Sequence, residues 1–568
     1  MENPEVAQVF DEVADLLEIQ NANPFRIRAY RNASRTIRDL SKPLAGTSEK
    51  KLTELSGIGK DLAGKIVTIL NTGDLPLRRE LERETPAGLR ELMHVPGLGP
   101  KKALTLFKQL KIQSLDKLRA AAEKHQISKL RGFGQKTEEN ILKAMGHVEQ
   151  FGRRVLFADA KVFADAAVRY LKEAPRVGHV EVAGSFRRCK ETVGDLDMLA
   201  TCKDADAVMD HLAKFEAVSE VTARGPTKMT VRLRSGLQLD LRIVPEESYG
   251  AALQYFTGSK EHSIALRRRA MDQGLKINEY GVFRGNQRVA GRTEEEVYRA
   301  VGLPWIAPEL RENRGEFEMA LEGRLPKLLE LNDIRGDLHM HTTATDGRAS
   351  LQEMVAAAKK RGYEYVAITD HSKRVTMARG LDGRRLRLHW NEIGELNRKV
   401  KGINVLKGVE VDILETGSLD LPDEILAEAD WVIASIHYGQ SQSRELITKR
   451  LLNAIRNPHV DAIGHLSGRL IGRRKGMEMD LETVLQTAAD HGCLLEVNSQ
   501  PDRLDLDDAT LIAAKERGVR FVINTDAHSV EELGNLQYGV FQARRAGLEA
   551  KDVANTRTLA KFRQIQKG

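Results

Sequence analysis

Three things are scarce in this chain, and each scarcity excludes a class of protein. Cysteine occurs three times in 568 residues, at the scattered positions Cys189, Cys202 and Cys493. Three isolated thiols cannot form a disulfide framework, so a reducing, cytoplasmic setting is expected. Long apolar runs are missing: no segment approaches the ~18 consecutive apolar residues of a membrane span. The opening stretch, MENPEVAQVFDEVADLLEIQ, alternates acidic and apolar residues in a helical pattern. It lacks the basic start and apolar core of a secretion signal. Aromatics make up only 5% of the residues, so aliphatic side chains must fill most of the interior. The net charge of +7 is mildly basic and permits a polyanionic partner without requiring one. A chain of this length exceeds a single core, and several domains are expected.

What is present falls into three regimes. Residues 1–150 read as helices joined by short turns. Three of the turns share one pattern: Ser56-Gly57-Ile58-Gly59-Lys60, Pro96-Gly97-Leu98-Gly99-Pro100 and Arg131-Gly132-Phe133-Gly134-Gln135. Such glycines let backbone N–H groups approach a phosphate with no Cβ in the way. The segment Pro24-Phe25-Arg26-Ile27-Arg28-Ala29-Tyr30-Arg31 is basic with aromatics interleaved. From about 155 to 310 helix and strand patterns mix, with VEVAGS, VGDLDMLA, KMTVRLR and LQLDLRIV reading as strands. Residues 311–333, rich in Glu, Arg and Leu, read as a helical linker. From Asp337 onward seven strand candidates alternate with helices, which predicts a parallel sheet closed like a barrel. Leu351, Met354, Val355 and Ala358 share one face of the first of those helices.

Two sets of residues carry chemistry. In the middle regime Gly184-Ser185-Phe186-Arg187-Arg188 precedes Val193-Gly194-Asp195-Leu196-Asp197, and Asp240 lies inside a later strand. Asp195 and Asp197 are two apart on a strand and project to one face. An all-carboxylate set selects hard ions, Mg2+ or Mn2+. Two such ions activate a hydroxyl and stabilise a leaving pyrophosphate. Gly184 and Ser185 bring backbone N–H groups to phosphate, and Arg188 adds a forked cationic donor. An isolated Asp-x-Asp is an ordinary solvated pair; the glycine-serine step and the third aspartate are what make the set specific. In the last regime His339, His341, Asp346, His371, Glu410, His437, His465, Asp526 and His528 fall at or just beyond the carboxyl ends of six strand candidates. A single strand-end histidine is ordinarily structural. Six histidines with three carboxylates point instead to a metal cluster at a barrel mouth. Imidazoles mixed with carboxylates suit Zn2+, Mn2+ or Fe, and nine ligands imply two or three ions. Clustered ions of this kind hydrolyse phosphate esters.

The barrel motifs resemble the polymerase and histidinol phosphatase (PHP) family. The resemblance implies a distorted (β/α)7 barrel with one ion on His339, His341, Glu410 and Asp526. It places a second ion on Asp346, His371 and His528, and a third on Glu410, His437 and His465. The central set resembles family X DNA polymerases. That likeness implies a nucleotidyltransferase palm in which Asp195 and Asp197 hold both metals and Asp240 helps deprotonate a primer 3′-hydroxyl. It implies that Ser185 and Arg188 hold the triphosphate and that Tyr255-Phe256-Thr257-Gly258-Ser259 lines the incoming sugar and selects against ribose. One departure is Ser263, where vertebrate repair members carry a base-contacting Asn. The glycine turns resemble helix-hairpin-helix motifs, with Gly57 and Gly59, and Gly97 and Gly99, as DNA contacts. Arg26 and Tyr30 match positions that hold a 5′-phosphate. Lys65 falls where animal members place a Schiff-base lysine, which would add an abasic-site lyase.

The expected architecture is therefore multidomain, α+β and α/β. It comprises a 5′-phosphate or lyase-like helical domain (1–80), a helix-hairpin-helix subdomain (81–150), a palm (151–248), a nucleotide-selection subdomain (249–315), a linker (316–333) and a PHP phosphoesterase domain (334–568). The expected activity is gap-filling DNA synthesis on gapped or nicked duplex DNA with dNTPs, by a monomer. The barrel is expected to add 3′-5′ exonuclease, abasic-site endonuclease or 3′-end cleaning activity. Two rivals are a small-molecule phosphatase carrying DNA-binding modules and a non-catalytic DNA-end scaffold.

Overall fold

A computed structural model describes residues 3–20, 22–38, 40, 44, 47–55, 57–72, 74–84, 92, 100–130, 133, 134, 138 and 154–566. The chain divides into two compact units, Met1–Arg154 with Leu233–Leu237, and Val155–Arg232 with Gln238–Gly568.

The first unit is helical. Its longer helices are Asn3–Ile19, Pro24–Arg38, Lys60–Thr72 and Pro100–Leu110. Val6, Phe10, Val13 and Leu17 recur at helical spacing and pack with Tyr30, Ala33, Ile37, Ile66 and Ile69. The first glycine turn leads into the helix Lys60–Thr72. Gly57 has a positive φ of 78°, and Ile58 is buried between two exposed glycines. Gly97, Gly99 and Gly132 lie outside the described residues.

The second unit holds the palm, the subdomain after it and the barrel. Strands β1 (Val155–Leu156) and β3 (Thr192–Val193) form a small antiparallel pair. β2 (Val177–Val182), β4 (Asp195–Cys202), β5 (Val218–Arg224), β6 (Lys228–Leu233) and β7 (Gln238–Val244) form a five-stranded sheet in the order β2-β4-β7-β6-β5. β4 pairs in parallel with β7, and antiparallel β2 and β6 flank that pair. β5 escaped the sequence pattern because six of its seven residues are exposed, so it shows no apolar alternation. Helices Tyr249–Thr257 and Lys260–Asp272 lead to an antiparallel sheet of β8 (Lys276–Asn278), β9 (Gly281–Arg284) and β10 (Gln287–Ala290).

The expected helical linker is corrected by the structure. Only Glu316–Leu321 is α-helical, and the chain then runs without helix or strand to a short 3-10 turn at Leu331–Asp333. Gly323 adopts a left-handed φ of 66° and Pro326 follows, which together end the helix.

The barrel follows the predicted alternation. β11 (Gly336–Asp337), β12 (Tyr365–Ile368), β13 (Asn404–Asp412), β14 (Trp431–Ser435), β15 (Ala462–Ile463), β16 (Leu494–Asn498) and β17 (Phe521–Asn524) pair in sequence order, all parallel. A bridge between Met340 and Ala527 joins the first segment to the last. Alternate residues split between two cores. Tyr365, Ala367, Trp431 and Ile433 share one with Phe562, whereas Val366, Ile368, Val432 and Ala434 pack into another with residues of the surrounding helices. The helix Leu351–Lys360 buries Leu351, Met354, Val355 and Ala358, as its sequence predicts, and Ser350 and Glu353 form its capping box.

Palm and barrel are tied together by buried ions. Glu312 accepts hydrogen bonds from Arg188 Nε and Arg545 Nη1, both at 3.1 Å. Asp508 accepts from Arg545 Nη2 at 2.5 Å and from Arg314 Nη1 at 3.0 Å. Phe157 stacks on Phe186 and meets Phe541 edge-on. Among the described residues no helix is long and apolar enough to cross a membrane.

Candidate active sites

In the palm the decisive fact is register. Asp197 on β4 lies directly opposite Asp240 on β7, and Asp195 opposite Gln238. Paired residues of parallel strands project to the same face, as do residues two apart. The three aspartates therefore share one face of the sheet. Their mutual repulsion is visible in Asp197, whose carboxyl is pushed up to about 6, first by burial and then by the charges of Asp195 and Asp240. Lys228 Nζ stands 3.0 Å from Asp240 Oδ2 and offsets part of that charge. A cluster of carboxylates that disfavours its own ionisation fits divalent cations.

Gly184 opens the turn beside this cluster. Its φ is 65°, and a Cβ there would lie 2.5 Å from Asp197 Oδ2. Only glycine meets both demands. Ala183 N donates to Asp197 O at 2.6 Å, which fixes the turn against β4. Ser185 follows on the short helix Gly184–Arg187 and is partly exposed. Arg188, expected on the triphosphate, is engaged in this structure by Glu312 and the Thr257 carbonyl, with its side chain 12% exposed. It forms the wall behind Gly258, where a Cβ would come within 3.2 Å of Arg188 Nη1. Tyr255 and Phe256 contact each other edge-to-face at 5.0 Å, and the Arg242 guanidinium lies 4.3 Å from the centre of the Phe256 ring. Ser263 is buried.

The barrel brings together every one of its nine predicted ligands. Glu410 is the hub. Its oxygens lie 3.5 Å from His339 Nε2, 3.7 Å from His341 Nε2, 2.7 Å from His371 Nδ1, 3.4 Å from His437 Nε2 and 3.1 Å from His465 Nε2. Donor atoms converge within 4.8 Å in three sets: His339, His341 and Asp526; His341, Asp346, His371 and His528; and His371, Glu410 and His437. These sets differ from the implied ones: Glu410 is not in the first, His341 joins the second, and His371 stands in the third in place of His465. His339 Nε2 is buried with no hydrogen-bond partner among the described residues, yet faces Glu410 and Asp526 at 3.5 and 3.6 Å. A buried lone pair set against carboxylates fits a metal ion between them. His465 and Asp526 are non-glycine residues at positive φ, 26° and 51°, so backbone strain coincides with the ligand set.

The buried carboxylates hold several of the histidines in their charged form. Burial works against a charged His371, but Glu410 and Asp346 raise it to about 9. Burial likewise opposes His437 and His528, which their carboxylate neighbours raise to about 10 and about 9. His341 is driven down to about 4, by burial first and then by the charges of His528 and His371.

Two supporting carboxylates were missed in the sequence. Glu496 on β16 accepts from His339 Nδ1 at 2.7 Å and His465 N at 2.8 Å. Asp412 bonds His437 Nδ1 at 3.0 Å. Carboxylates behind ligating imidazoles fix the ring's orientation and tautomer. The available signal was an acidic residue inside an otherwise apolar, buried strand: Leu494-Leu495-Glu496-Val497 and Val409-Glu410-Val411-Asp412.

In the first unit Arg26 is exposed on the helix Pro24–Arg38. Tyr30 is corrected from a DNA contact to a core residue: it is 1% exposed and packs on Phe10. Lys65 pairs with Asp61 and lies 5.3 Å from the centre of the Tyr30 ring. Burial lowers its basicity, but Asp61 and Tyr30 outweigh that and raise it. The amine is thus held charged, the form that cannot attack an aldehyde.

Comparison with known proteins matches four family models to the chain. They are a helix-hairpin-helix domain at residues 1–75, a SAM-like helix-hairpin-helix tandem at 89–145, a DNA polymerase beta thumb at 252–312 and a PHP domain at 337–500. The DNA polymerase/3′-5′ exonuclease PolX of Bacillus subtilis is 39% identical over 563 residues, which cover 98% of each chain. A probable phosphatase of Thermoanaerobacter pseudethanolicus is 33% identical over 231 residues, 39% of this chain and 89% of the relative. One of Vibrio campbellii is 29% identical over 232 residues, 39% of this chain and 88% of the relative.

Proposed function

The chain belongs to the PolX family of DNA polymerase/3′-5′ exonucleases, the family X polymerases with a PHP domain, and on that premise we propose that it fills short gaps in duplex DNA and trims 3′ ends. The observation that carries the polymerase half is the pairing of Asp197 with Asp240 across β4 and β7, with Asp195 on the same face.

In this reading Asp195, Asp197 and Asp240 hold Mg2+ or Mn2+. When bound, such ions lower the barrier to attack by a primer 3′-hydroxyl and stabilise departing pyrophosphate. Gly184 and Ser185 offer backbone N–H groups to the triphosphate of a dNTP. Tyr255, Phe256 and Gly258 line the sugar pocket. Gly57 and Gly59, with Gly97 and Gly99, hold duplex phosphates without reading sequence, and Arg26 reaches a 5′-phosphate.

The nine barrel ligands suit Zn2+, Mn2+ or Fe in place of the hard ions of the palm. Glu496 and Asp412 orient His339 and His437 from behind. The barrel supplies the 3′-5′ exonuclease and, by the same phosphoester chemistry, abasic-site or 3′-end cleaning. The substrate is gapped or nicked duplex DNA, met by a monomer in the cytoplasm. The small-molecule phosphatase reading accounts for less: the probable phosphatases align with 39% of this chain, the polymerase/exonuclease with 98%.

The test compares wild type, Asp197→Ala and His341→Ala on a one-nucleotide gap, with Mg2+ and Mn2+ in turn. Asp197→Ala should lose incorporation and keep 3′ trimming, and His341→Ala the reverse. Joint loss in either variant counts against two separate sites.

A further inference from the structure

The segment Leu466-Ser467-Gly468-Arg469-Leu470-Ile471-Gly472-Arg473-Arg474-Lys475-Gly476 begins one residue after the ligand His465 and contains four cations and no carboxylate. It is an ordered hairpin. Leu470 and Arg474 exchange backbone hydrogen bonds of 2.9 Å each way, and Gly472 turns the tip at a φ of 72°.

Its base is anchored on two sides. On the barrel side Ser467 N and Gly468 N donate to Asp505, and Arg474 Nη2 donates to the Gly468 carbonyl at 2.7 Å. On the palm side Arg469 Nη2 donates to Glu191 at 2.7 Å, four residues before Asp195. The same Arg469 donates to the carbonyls of Arg503 and Leu504. One short element therefore connects the strand end that carries a barrel ligand to the segment that leads into the palm aspartates.

Its tip is left charged and outward. Arg473 is 72% exposed, with Asp502 no closer than 3.9 Å, and Arg474 and Lys475 are exposed beside it. Arg503 stands against the same loop with a buried Nη1 that has no hydrogen-bond partner among the described residues. Burial and then the Arg503 charge weaken Arg474's hold on its proton, which records like charges crowded together. The carboxylates Asp505 and Glu191 lie at the base of the hairpin, and the cations gathered at its exposed tip match the spaced negative charges of a nucleic-acid backbone.

We propose that the 466–476 hairpin grips the backbone phosphates of a single-stranded DNA 3′ end and guides that strand into the barrel site. The inference rests on the reading of the barrel as a 3′-5′ exonuclease and adds the surface that delivers its substrate. Arg473 and Lys475 are the phosphate contacts; Arg469 and Arg474 hold the hairpin in place.

The experiment compares Arg473→Ala/Lys475→Ala with wild type on a single-stranded 3′-tailed oligonucleotide between 50 and 200 mM salt. Removal of two phosphate contacts should make the slope of log kcat/KM against log salt shallower by about 1.4 and lower kcat/KM roughly tenfold at the low-salt end. Hydrolysis of p-nitrophenyl phosphate and gap filling from a paired primer should stay at wild-type rates. The charge reversal Arg473→Glu/Lys475→Glu should deepen the loss on DNA alone. An unchanged rate and salt slope in the double variant, with wild type active, overturns the hairpin's role and leaves the exonuclease reading intact. An equal loss on the small ester assigns the effect to the metal centre and also overturns it. Inactivity of wild type on the 3′ tail defeats the exonuclease reading and the hairpin proposal together.

Discussion

The palm and the barrel both gather acidic ligands, but they do it in opposite ways. The palm needs two adjacent strands: Asp195, Asp197 and Asp240 are brought together by the register of β4 on β7. The barrel draws His339, His371, Glu410, His437, His465 and Asp526 from the ends of six strands, and its first segment meets its last where Met340 bridges Ala527. The palm site is three carboxylates with Lys228 as a partial counter-ion. The barrel site carries imidazoles in contact with nearly every carboxylate, buttressed by a further layer of acids. A local site depends on one register; a distributed site depends on a closed fold and tolerates less disturbance.

Outcomes on four scales sharpen or break this contrast. The largest concerns the ligands themselves. Asp197→Ala should lower nucleotide incorporation by about 10²–10³-fold or more, with 3′ trimming unchanged. Single-turnover assays of both activities on one preparation check the separation.

Next is the supporting layer, which in this structure is documented for the barrel. Glu496→Gln removes the charge behind His339 and should cost about 10–100-fold in barrel metal affinity or trimming. Competition with a chelator measures it. Unchanged affinity would mean that closure of the barrel alone positions His339.

The third is pH. Palm metal binding should weaken below pH about 6, where Asp197 takes up its proton, and level off above it. Barrel binding must expel protons from His371, His437 and His528, so its affinity should keep rising to about pH 9–10. Calorimetry in buffers of different ionisation enthalpy at pH 7.5 should show proton release from the barrel alone. In the metal-free protein the sign runs the other way. These histidines, raised above the ordinary ~6.5, add stability below that pH, and it is lost as pH climbs through about 9–10. A metal-free melting curve that improves above pH 9 contradicts this.

The smallest effects are backbone and surface ones. Gly184→Ala should cost about 1–2 kcal/mol for the left-handed conformation, and its Cβ should displace Asp197. Denaturant unfolding reads the first and incorporation the second. At Lys65, held charged by Asp61, borohydride with an incised abasic substrate should trap no adduct at neutral pH.

Much of this was legible before the fold was known. His-x-His, Asp-x-Asp and Gly-Ser are local signals, because strand alternation alone sets which way their side chains point. The capped helix Leu351–Lys360 was equally plain, since apolar spacing and capping residues are both written in the chain. Other features depended on neighbours. β5 was missed because an exposed edge strand needs no apolar alternation. The linker composition read as helix, yet Gly323 and Pro326 ended it after Leu321. Tyr30 sat in a basic segment that looked DNA-facing, but its own position on the helix turns it into the core beside Phe10.

The sequence by itself determined the chemistry on offer: hard carboxylates in one region, mixed imidazoles and carboxylates in another, glycine turns in a third. Residue type and short-range spacing suffice for that, because alternation and helical period are properties of the backbone. The tertiary structure alone decided which donor atoms converge, that Glu410 is the hub, that Glu496 stands behind His339, and that Arg469 ties the barrel's hairpin to the palm. Those are meetings of residues tens to hundreds of positions apart. They exist only once strands have taken a register and the barrel has closed, and no local pattern encodes them.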